Sequence, residues 1–257
     1  MSAALRQTWQ INLRYLRAFI RQPAWVAIAL VQPIIWLLLF GALFKSVVDI
    51  PGFEGTSYIA FLTPGVAVMT AVMSAGWNGM GFIEDIRGVL DRVLVTPLWR
   101  GALNAGSLLY AIITLALQVL IIVGIGLLAG ASFKNGVAGV AVLVLVACLL
   151  GGSVAALSNG LALVAKQRET LIGAVTFVTL PITFLSFTFM QKSLVPGWVQ
   201  DVARFNPVNW AVEAGRSATG THADWALVGS RIGFLFLLLL VCGTVATRAF
   251  NAYQRSI

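Results

Sequence analysis

Charged side chains are scarce in this sequence, and a large share of them lies in one short segment. Of the 257 residues, 17 are Lys or Arg and 9 are Asp or Glu. Six of these charges fall between Glu84 and Arg100, within the stretch GFIEDIRGVLDRVLVTPLWRGAL. Opposite charges interspersed with apolar residues suit specific pairing with another protein. This stretch is therefore the first candidate for a functional site.

The apolar residues of this stretch follow a helical spacing. They recur at i, i+3, i+4, i+7 and i+8 as Ile86, Val89, Leu90, Val93 and Leu94. This spacing predicts a short amphipathic helix over 84–98, which ends at Thr96-Pro97 because proline cannot donate the next helical hydrogen bond. Two interpretations remain open. The helix could be a solvated loop that rests its apolar side on lipid, or it could dock on a soluble partner.

Sequence motifs of enzyme chemistry are absent. The chain has no G-x-x-x-x-G-K-[ST] phosphate loop, no G-x-S-x-G and no H-E-x-x-H. A single histidine, His222, cannot build a metal site, and Cys148 and Cys242 lie in apolar runs as small core residues do. We therefore predict that the chain is not an enzyme and that it holds no catalytic residue, metal or cofactor of its own.

The apolar composition places the chain among membrane proteins. Hydrophobic residues make up 59% and charged residues 10%, whereas soluble domains carry about 25% charge. Six apolar runs each reach the roughly 20 residues that cross a bilayer, at 24–44, 58–83, 105–130, 137–165, 171–190 and 226–247. The expected fold is all-α, with six transmembrane helices in one domain over residues 1–257.

The basic residues predict how the chain is oriented. With the N-terminus inside, the inner segments hold eleven Lys and Arg residues and the outer segments hold six. Basic residues are enriched in cytoplasmic loops, so both termini and the segment 84–98 are expected in the cytoplasm. The net charge of +8 is explained by this topology, and we predict no nucleic-acid partner.

Two segments outside the six runs are also patterned. Residues 4–21 place Leu5, Trp9, Leu13, Leu16 and Ile20 on one helical face, beside Arg6, Arg14, Arg17 and Arg21. This pattern predicts an amphipathic helix in the inner membrane interface, acting as a topology anchor or also touching a cytoplasmic partner. The segment 191–225, interrupted by Pro196 and Pro207, predicts two short helices at or dipping into the outer leaflet.

The predicted spans also contain polar and aromatic residues that could line a substrate path. The candidates are Gln32, Trp36, Trp77, Asn78, Phe184 and Phe187. The alternative is that the polar ones only form hydrogen bonds between packed helices.

Taken together, the sequence resembles the permease subunits of type-2 ABC transporters, including the daunorubicin-resistance-like exporters of drugs and lipids. The resemblance covers nearly the whole chain. It is carried by YIAFLTPGVAVMTAVMSAGWNGMGFIEDIRGVLDRVLVTPLWRGALNAG, by TFVTLPITFLSFTFMQKSLVPGWVQDVARFNPVNWAVEAGR and by the basic N-terminal helix. Membership would imply two six-span units in the bacterial cytoplasmic (inner) membrane, paired as a homodimer or with a paralogue.

The resemblance also implies a division of labour between chains. Two copies of a separate cytoplasmic ATPase would bind ATP and Mg²⁺, and membrane lipids would surround the permeases. The segment 84–98 would be the coupling helix that inserts into the ATPase, and the short outer helices would be re-entrant. Its contact residues would be Glu84, Asp85, Ile86, Arg87, Val89, Leu90, Asp91, Arg92, Val93, Leu94, Thr96 and Pro97.

The predicted function is therefore ATP-driven export of a hydrophobic drug or lipid-like substrate. Two alternatives remain open at this point. One is a polysaccharide or glycolipid exporter of the same class, and the other is a non-transporting membrane protein with an immunity or regulatory role.

Overall fold

The protein is helical throughout the part that the structure describes. The computed structural model describes residues 3–21, 23–49, 57–83, 102–165, 167–221 and 223–255, and every regular element in these ranges is a helix. The α-helices are α1 (Ala3–Arg21), α2 (Pro23–Leu43), α3 (Tyr58–Gly76), α4 (Ala102–Leu128), α5 (Gly136–Ala165), α6 (Arg168–Phe184), α7 (Gly197–Arg204), α8 (Pro207–Thr219) and α9 (Trp225–Arg255). A further helical stretch at 78–83 continues α3 after a turn at Trp77.

Four of the described helices are long and apolar enough to cross a membrane. These stretches are Tyr58–Ile83, Asn104–Leu128, Gly136–Ala165 and Trp225–Phe250, and a shorter apolar helix covers Ala27–Leu43. The prediction of an all-α membrane protein is confirmed. The count of six spans stays a prediction. The fifth predicted run, 171–190, is helical only as far as Phe184, where α6 ends.

Helix α4 runs opposite to α3, α5 and α9, so the bundle has two distinct ends. At one end Ile83 closes the stretch that continues α3, and α4 begins at Ala102, so the segment 84–101 connects the two there. We call this the loop end. At the other end lie the turn at 129–135 and the residues 185–224, which contain α7 and α8. We call this the capped end.

Helix α3 occupies the centre of the bundle. In its most apolar window 72% of the residues are buried, compared with 17% for α9. It packs against α2, α4, α5 and α8. The main core joins residues of these helices, including Leu62, Val66, Leu115, Leu150 and Val212, all of them almost fully buried. A central helix surrounded in this way is well placed to relay movement between the two ends.

Helix α1 lies against α4 at the loop end. The ring of Tyr15 stacks on Tyr110 with centroids 5.3 Å apart, and Phe19 meets Tyr110 edge-on at 6.1 Å. The methyl groups of Ile11 approach the backbone at Gly106. An N-terminal helix at 4–21 was predicted, and α1 covers this stretch.

Candidate functional site

The twelve predicted coupling residues lie outside the described residues. They are Glu84, Asp85, Ile86, Arg87, Val89, Leu90, Asp91, Arg92, Val93, Leu94, Thr96 and Pro97. The structure does describe the helices that enter and leave this segment.

Four polar side chains from three helices join at the loop end. Asn78 Nδ2 donates to Ser107 Oγ at 2.9 Å and to Asn159 Oδ1 at 3.0 Å. Asn159 Nδ2 in turn donates to Asn104 Oδ1 at 3.1 Å and to Ser107 Oγ at 3.4 Å. We call these four residues the Asn–Ser network. Asn104, Ser107 and Asn159 are buried, where a missing partner would leave a costly unsatisfied group.

A second contact reinforces the same junction. Ser158 Oγ donates to the carbonyl of Gly76 at 2.6 Å and accepts from the backbone N–H of Gly79 at 3.1 Å. A Cβ at Gly79 would lie 2.5 Å from the carbonyl oxygen of Ser158, which is shorter than any normal contact. Glycine is therefore required for α5 to approach the turn at Trp77 this closely.

These contacts lie at the two places where the described helices meet the predicted coupling segment, after Ile83 and before Ala102. We call these two places the roots of the segment. Asn78 lies five residues before Ile83, where the described part ends, and Asn104 lies at the start of α4, just after it resumes. Asn159 connects both to α5. A displacement of either root would strain hydrogen bonds to the other root and to α5. Side-chain hydrogen bonds thus join both roots to each other and to α5.

At the capped end, the side chain of Asn206 donates hydrogen bonds to carbonyls at the end of α6. Asn206 Nδ2 donates to the carbonyls of Ile182 at 2.6 Å and Leu185 at 2.9 Å. Its Oδ1 accepts from the N–H of Val208 at 2.9 Å, which makes Asn206 the N-cap of α8. The last carbonyls of a helix have no partner within the helix. Asn206 supplies one and starts the next helix at the same time.

Arg216 performs a similar role for the residues that follow α6. Its guanidinium donates to the carbonyls of Phe61 at 3.0 Å, Thr188 at 2.6 Å and Phe187. It also lies over the Phe61 ring, 3.5 Å from the centroid. A Cβ at Gly65 would lie 2.5 Å from the carbonyl oxygen of Thr188, so glycine allows this segment to lie directly on α3.

Arginine suits this position because its guanidinium stays cationic in proteins. A planar cation with five donors can satisfy several carbonyls at once, and no single neutral side chain can replace it.

A polar chain links this region to α9. The N–H of Phe187 donates to Asn209 Oδ1 at 3.1 Å, and Asn209 Nδ2 donates to Glu213 Oε1 at 2.9 Å. Glu213 Oε2 pairs with an Arg231 guanidinium nitrogen at 2.8 Å. The segment after α6 is therefore tied to α3 through Arg216 and to α9 through Asn209 and Glu213.

The structure divides the predicted path residues between the two ends. Trp36 and Phe184 belong to an aromatic cluster with Phe40 and Phe189, in which Trp36 lies 5.3 Å from Phe189 and 6.3 Å from Phe184 between ring centroids. Phe187 is buried in the same region. Trp77 and Asn78 lie at the loop end, where Trp77 is 46% exposed and Asn78 belongs to the Asn–Ser network.

Gln32 differs from Asn78, the other amide among the path candidates, because it is exposed and lies on an apolar helix. Its neighbours on α2, Val31 and Ile35, are 51% and 53% exposed. An amide that faces lipid has no hydrogen-bond partner, which costs several kcal/mol in hydrocarbon, on the order of 2–7. A surface that contains such an amide is better suited to a partner protein or a hydrated path.

Two important residues of the capped end were not among the sequence candidates. Asn206 and Arg216 bond carbonyls that lie 21–155 residues away. The only sequence signal was the Asn-Pro dipeptide at 206–207, which is typical of a helix start with proline in the first turn. The carbonyls that Arg216 would meet had no signal at all.

Comparison with known proteins gives a consistent assignment. The family model described as ABC-2 type transporter matches residues 6–219. The daunorubicin resistance ABC transporter permease protein DrrB1 of Streptomyces coeruleorubidus is 33% identical over 227 residues, 88% of this chain and 78% of the relative. The putative transport permease ycf38 of Cyanophora paradoxa is 28% identical over 252 residues, covering 92% and 85% of the two chains.

The alignment with a further relative covers nearly the full length of both chains. The inner membrane transport permease YadH of Escherichia coli K12 is 25% identical over 254 residues, which is 95% of each chain. The region matched by the family model contains most of α1 and all of α2 to α8, and α9 follows it. The chain belongs to the ABC-2 type transporter family, and it is a transporter component rather than an enzyme.

Proposed function

We propose that this chain is the permease subunit of an ATP-driven exporter that moves a hydrophobic drug or a lipid-like molecule across the bacterial inner membrane. The observation that carries this proposal is membership of the ABC-2 family together with 33% identity to a daunorubicin resistance permease. The ycf38 and YadH relatives are named as transport permeases, without a substrate.

The energy source in this proposal is a separate ABC ATPase. The sequence has no phosphate loop, and the segment 84–98 combines an apolar stripe with charges of both signs. Two ATPase copies would close on ATP, and the movement would enter each permease through this segment. The Asn–Ser network supports the proposal because it joins both roots of the segment to α5. Both termini would lie on the same, cytoplasmic side.

The substrate path is proposed along the face of α2 and α6, with a second permease copy completing it. Gln32 supports this choice as an exposed amide on an otherwise apolar helix. The aromatic cluster of Trp36, Phe40, Phe184 and Phe189 lies farther along the same helix pair. Flat apolar rings suit a planar drug. They also stack on sugars, so an oligosaccharide is a necessary arm of the test.

The proposal is tested in vesicles that contain this permease together with a partner ABC ATPase. We expect ATP-dependent movement of lipophilic dyes or lipids, and no movement of oligosaccharides. The permease reconstituted alone should show no ATP hydrolysis. If only oligosaccharides moved, the substrate would be a sugar rather than a hydrophobic drug or lipid. If the permease hydrolysed ATP without a partner, the proposal of a separate ATPase would be contradicted.

The coupling assignment is tested by Leu90→Asp. A charge placed in an apolar contact should lower transport at least about tenfold, while the permease still inserts and the ATPase still hydrolyses ATP. Leu90→Met is the matched control, because it keeps an apolar side chain of similar volume and should transport normally. Normal transport by Leu90→Asp would remove the segment 84–98 from the coupling contact.

A further inference from the structure

Helix α6 is attached to the rest of the chain near its two ends and lies open between them. Of its 17 residues, all of them described, two are buried: Leu171 in the first turn and Thr183 in the last. Phe177, Val178 and Leu180, which lie between these two, are 81%, 52% and 42% exposed within the single chain. A helix with so few buried contacts along its middle needs little free energy to move.

At the loop end, the start of α6 packs beside the first root of the predicted coupling segment. Leu171 lies in one buried cluster with Phe82 and Ile83, the last described residues before that segment. The same cluster contains Leu163 near the end of α5 and Phe250 of α9, whose ring centroid lies 6.2 Å from that of Phe82. A displacement of this root therefore reaches the first turn of α6 through apolar contacts.

One helical turn farther along, α6 lies directly on the backbone of α3. A Cβ at Gly76, the last residue of α3, would lie 2.5 Å from Cγ1 of Val175. Val175 also packs against the cluster that contains Leu171. Because closely packed groups transmit a displacement instead of absorbing it, α3 cannot move toward α6 at this point without pushing it.

At the capped end, α6 is held by directional bonds instead of apolar contacts. Asn206 donates to the carbonyls of Ile182 and Leu185, and α8, which Asn206 caps, packs on α3, α5 and α9. Pro181 lies inside the last turn of α6 and cannot donate a helical hydrogen bond, which makes this turn easier to bend. The capped end therefore has the construction of a pivot, and the loop end has the construction of a contact that pushes.

We propose that the contact between Gly76 and Val175 transmits movement of the coupling segment to α6, whose loop end then swings while its capped end stays fixed. This inference rests on the proposed function, in which α2 and α6 border the substrate path. A swing of α6 widens or narrows that path at the loop end, while the bonds from Asn206 hold the other end. Gly76 and Val175 are thus positioning residues, which act on the path without touching the substrate.

The first test inserts a methyl group into this contact. In Gly76→Ala the new Cβ meets Val175 Cγ1, which pushes α6 away from α3, so the substrate moved per ATP hydrolysed should fall several-fold in vesicles with the ATPase. In Gly76→Ala/Val175→Ala the opposing methyl groups are gone, and the nearest remaining atom is the Cβ of residue 175 at 3.9 Å, an ordinary contact distance. This double variant should recover most of the transport.

Gly81→Ala is the matched control, because a Cβ at Gly81 would meet no atom of the described residues within 4 Å. It should transport as the unaltered chain does. Equal losses in Gly76→Ala and Gly81→Ala, or no recovery in the double variant, would overturn the role of this contact. So would a Gly76→Ala chain that melts earlier but moves as much substrate per ATP, because the contact would then serve stability alone.

A second measurement follows α6 while this contact is left unaltered. Spin labels are attached at the exposed positions of Thr170→Cys or Phe184→Cys, each paired with Leu120→Cys on α4, and Cys148→Ala and Cys242→Ala remove the native thiols. Between the nucleotide-free and the ATP-trapped states, the distance from α4 to the start of α6 should change, whereas the distance from α4 to the end of α6 should not.

The outcomes of this measurement separate the inference from the proposed function. Equal changes in both distances, or no change in either, in vesicles that do transport would overturn the swing of α6 and leave the proposed function intact. If the unaltered permease and its ATPase moved no substrate at all, the proposed function would fail, and this inference would fail with it.

Discussion

At the scale of single residues, the structure depends on polar side chains that bond more than one partner. Asn159 donates to Asn104 and Ser107 and accepts from Asn78. Arg216 donates to three carbonyls and covers an aromatic ring. In a bundle where lipid is as apolar as the core, such bonds contribute much of the specificity of helix packing.

Removing the shared member of the Asn–Ser network should loosen the loop end. Asn159→Ala deletes an amide that three side chains use and leaves Asn78 and Asn104 without that partner. We expect a loss of about 1–3 kcal/mol in the free energy of unfolding, seen as a lower melting temperature in detergent. In vesicles with the ATPase, the number of substrates moved per ATP should fall as well.

The control for this variant lies on the same helix. Ser153 is buried, but its hydroxyl donates only to the carbonyl of Leu149 within α5. Ser153→Ala should therefore change both readouts much less. Equal effects of the two variants would mean that the network has no special role in joining the helices.

At the scale of elements, α6 and α8 form a complementary pair. Helix α6 ends at Phe184, where its last carbonyls lack partners within the helix. Asn206, the N-cap of α8, donates hydrogen bonds to the carbonyls of Ile182 and Leu185. Irregular backbone at membrane depth is tolerated where protein covers it and satisfies its polar groups. In the stretch 185–189, Asn206, Asn209 and Arg216 bond backbone groups of Leu185, Phe187 and Thr188, and the Tyr58 hydroxyl donates to the Phe189 carbonyl.

The two roles of Asn206 can be separated by substitution. Asn206→Ser keeps an N-cap oxygen for Val208 but is too short to donate to both Ile182 and Leu185, whereas Asn206→Ala loses both functions. We expect Asn206→Ala to lower the free energy of unfolding by about 2 kcal/mol and Asn206→Ser by about half of that. Hydrogen exchange should quicken at 182–189 in both variants.

Exchange within α8 distinguishes the variants further. In Asn206→Ser the first turn of α8 should stay protected because the cap remains. In Asn206→Ala it should exchange faster. If both variants left 182–189 as protected as in the unaltered chain, the bonds from Asn206 would not be what holds the end of α6.

The elements were predictable from the sequence to very different degrees. The runs 58–83, 137–165 and 226–247 agree within a few residues with Tyr58–Ile83, Gly136–Ala165 and Trp225–Phe250, because burial in lipid requires an unbroken apolar stretch. The run 171–190 overshoots α6 by six residues. The sequence stays apolar past Phe184, but the helix ends there, and Asn206 at the start of α8 donates to the carbonyls of Ile182 and Leu185. Composition alone does not indicate where such a helix ends.

The candidate site was predictable only in its local parts. Helical spacing marks the segment 84–98, and the alternative stated for the polar path candidates, hydrogen bonds between packed helices, describes Asn78, which donates to Ser107 and Asn159. The partners of Arg216 lie 28 to 155 residues away in the chain. Contacts of this range depend on how whole helices pack, and a single sequence carries no signal for them.

At the scale of the whole molecule, the two ends have different constructions joined by one central helix. The loop end is held by neutral side chains, whereas the capped end holds a guanidinium and an ion pair. Helix α3 contributes to both, through Asn78 just beyond its end and through Phe61 and Gly65 near its start. In the proposed exporter, this helix is the shortest route from the ATPase to the capped end.

The exposed face of α2 offers a test of how two such molecules would pair. Gln32→Leu removes the one amide from a strip that otherwise contains Val31 and Ile35. If this face lines the path or the second copy, transport should fall several-fold while the melting temperature changes little. The measurement is dye export from vesicles, with Ile35→Leu as the matched change on the same face.

The opposite outcome is equally specific. A face that meets only lipid gains from losing an amide, by roughly 1–3 kcal/mol on the scale of buried polar groups. Gln32→Leu would then raise the melting temperature and leave export unchanged. That result would move the proposed path away from α2.

The dependence of the stretch 182–188 on later residues has a consequence for how the protein is made. Chains are synthesised and inserted from the N-terminus, so α6 reaches the membrane before Asn206 and Arg216 do. Until then, the carbonyls of Ile182, Leu185, Phe187 and Thr188 lack the donors that they have in the finished protein. The carbonyls that need hydrogen-bond donors are therefore made before the side chains that supply them. We therefore expect this apolar stretch to stay in a hydrated or assisted environment until the residues from Asn206 onward arrive to complete it.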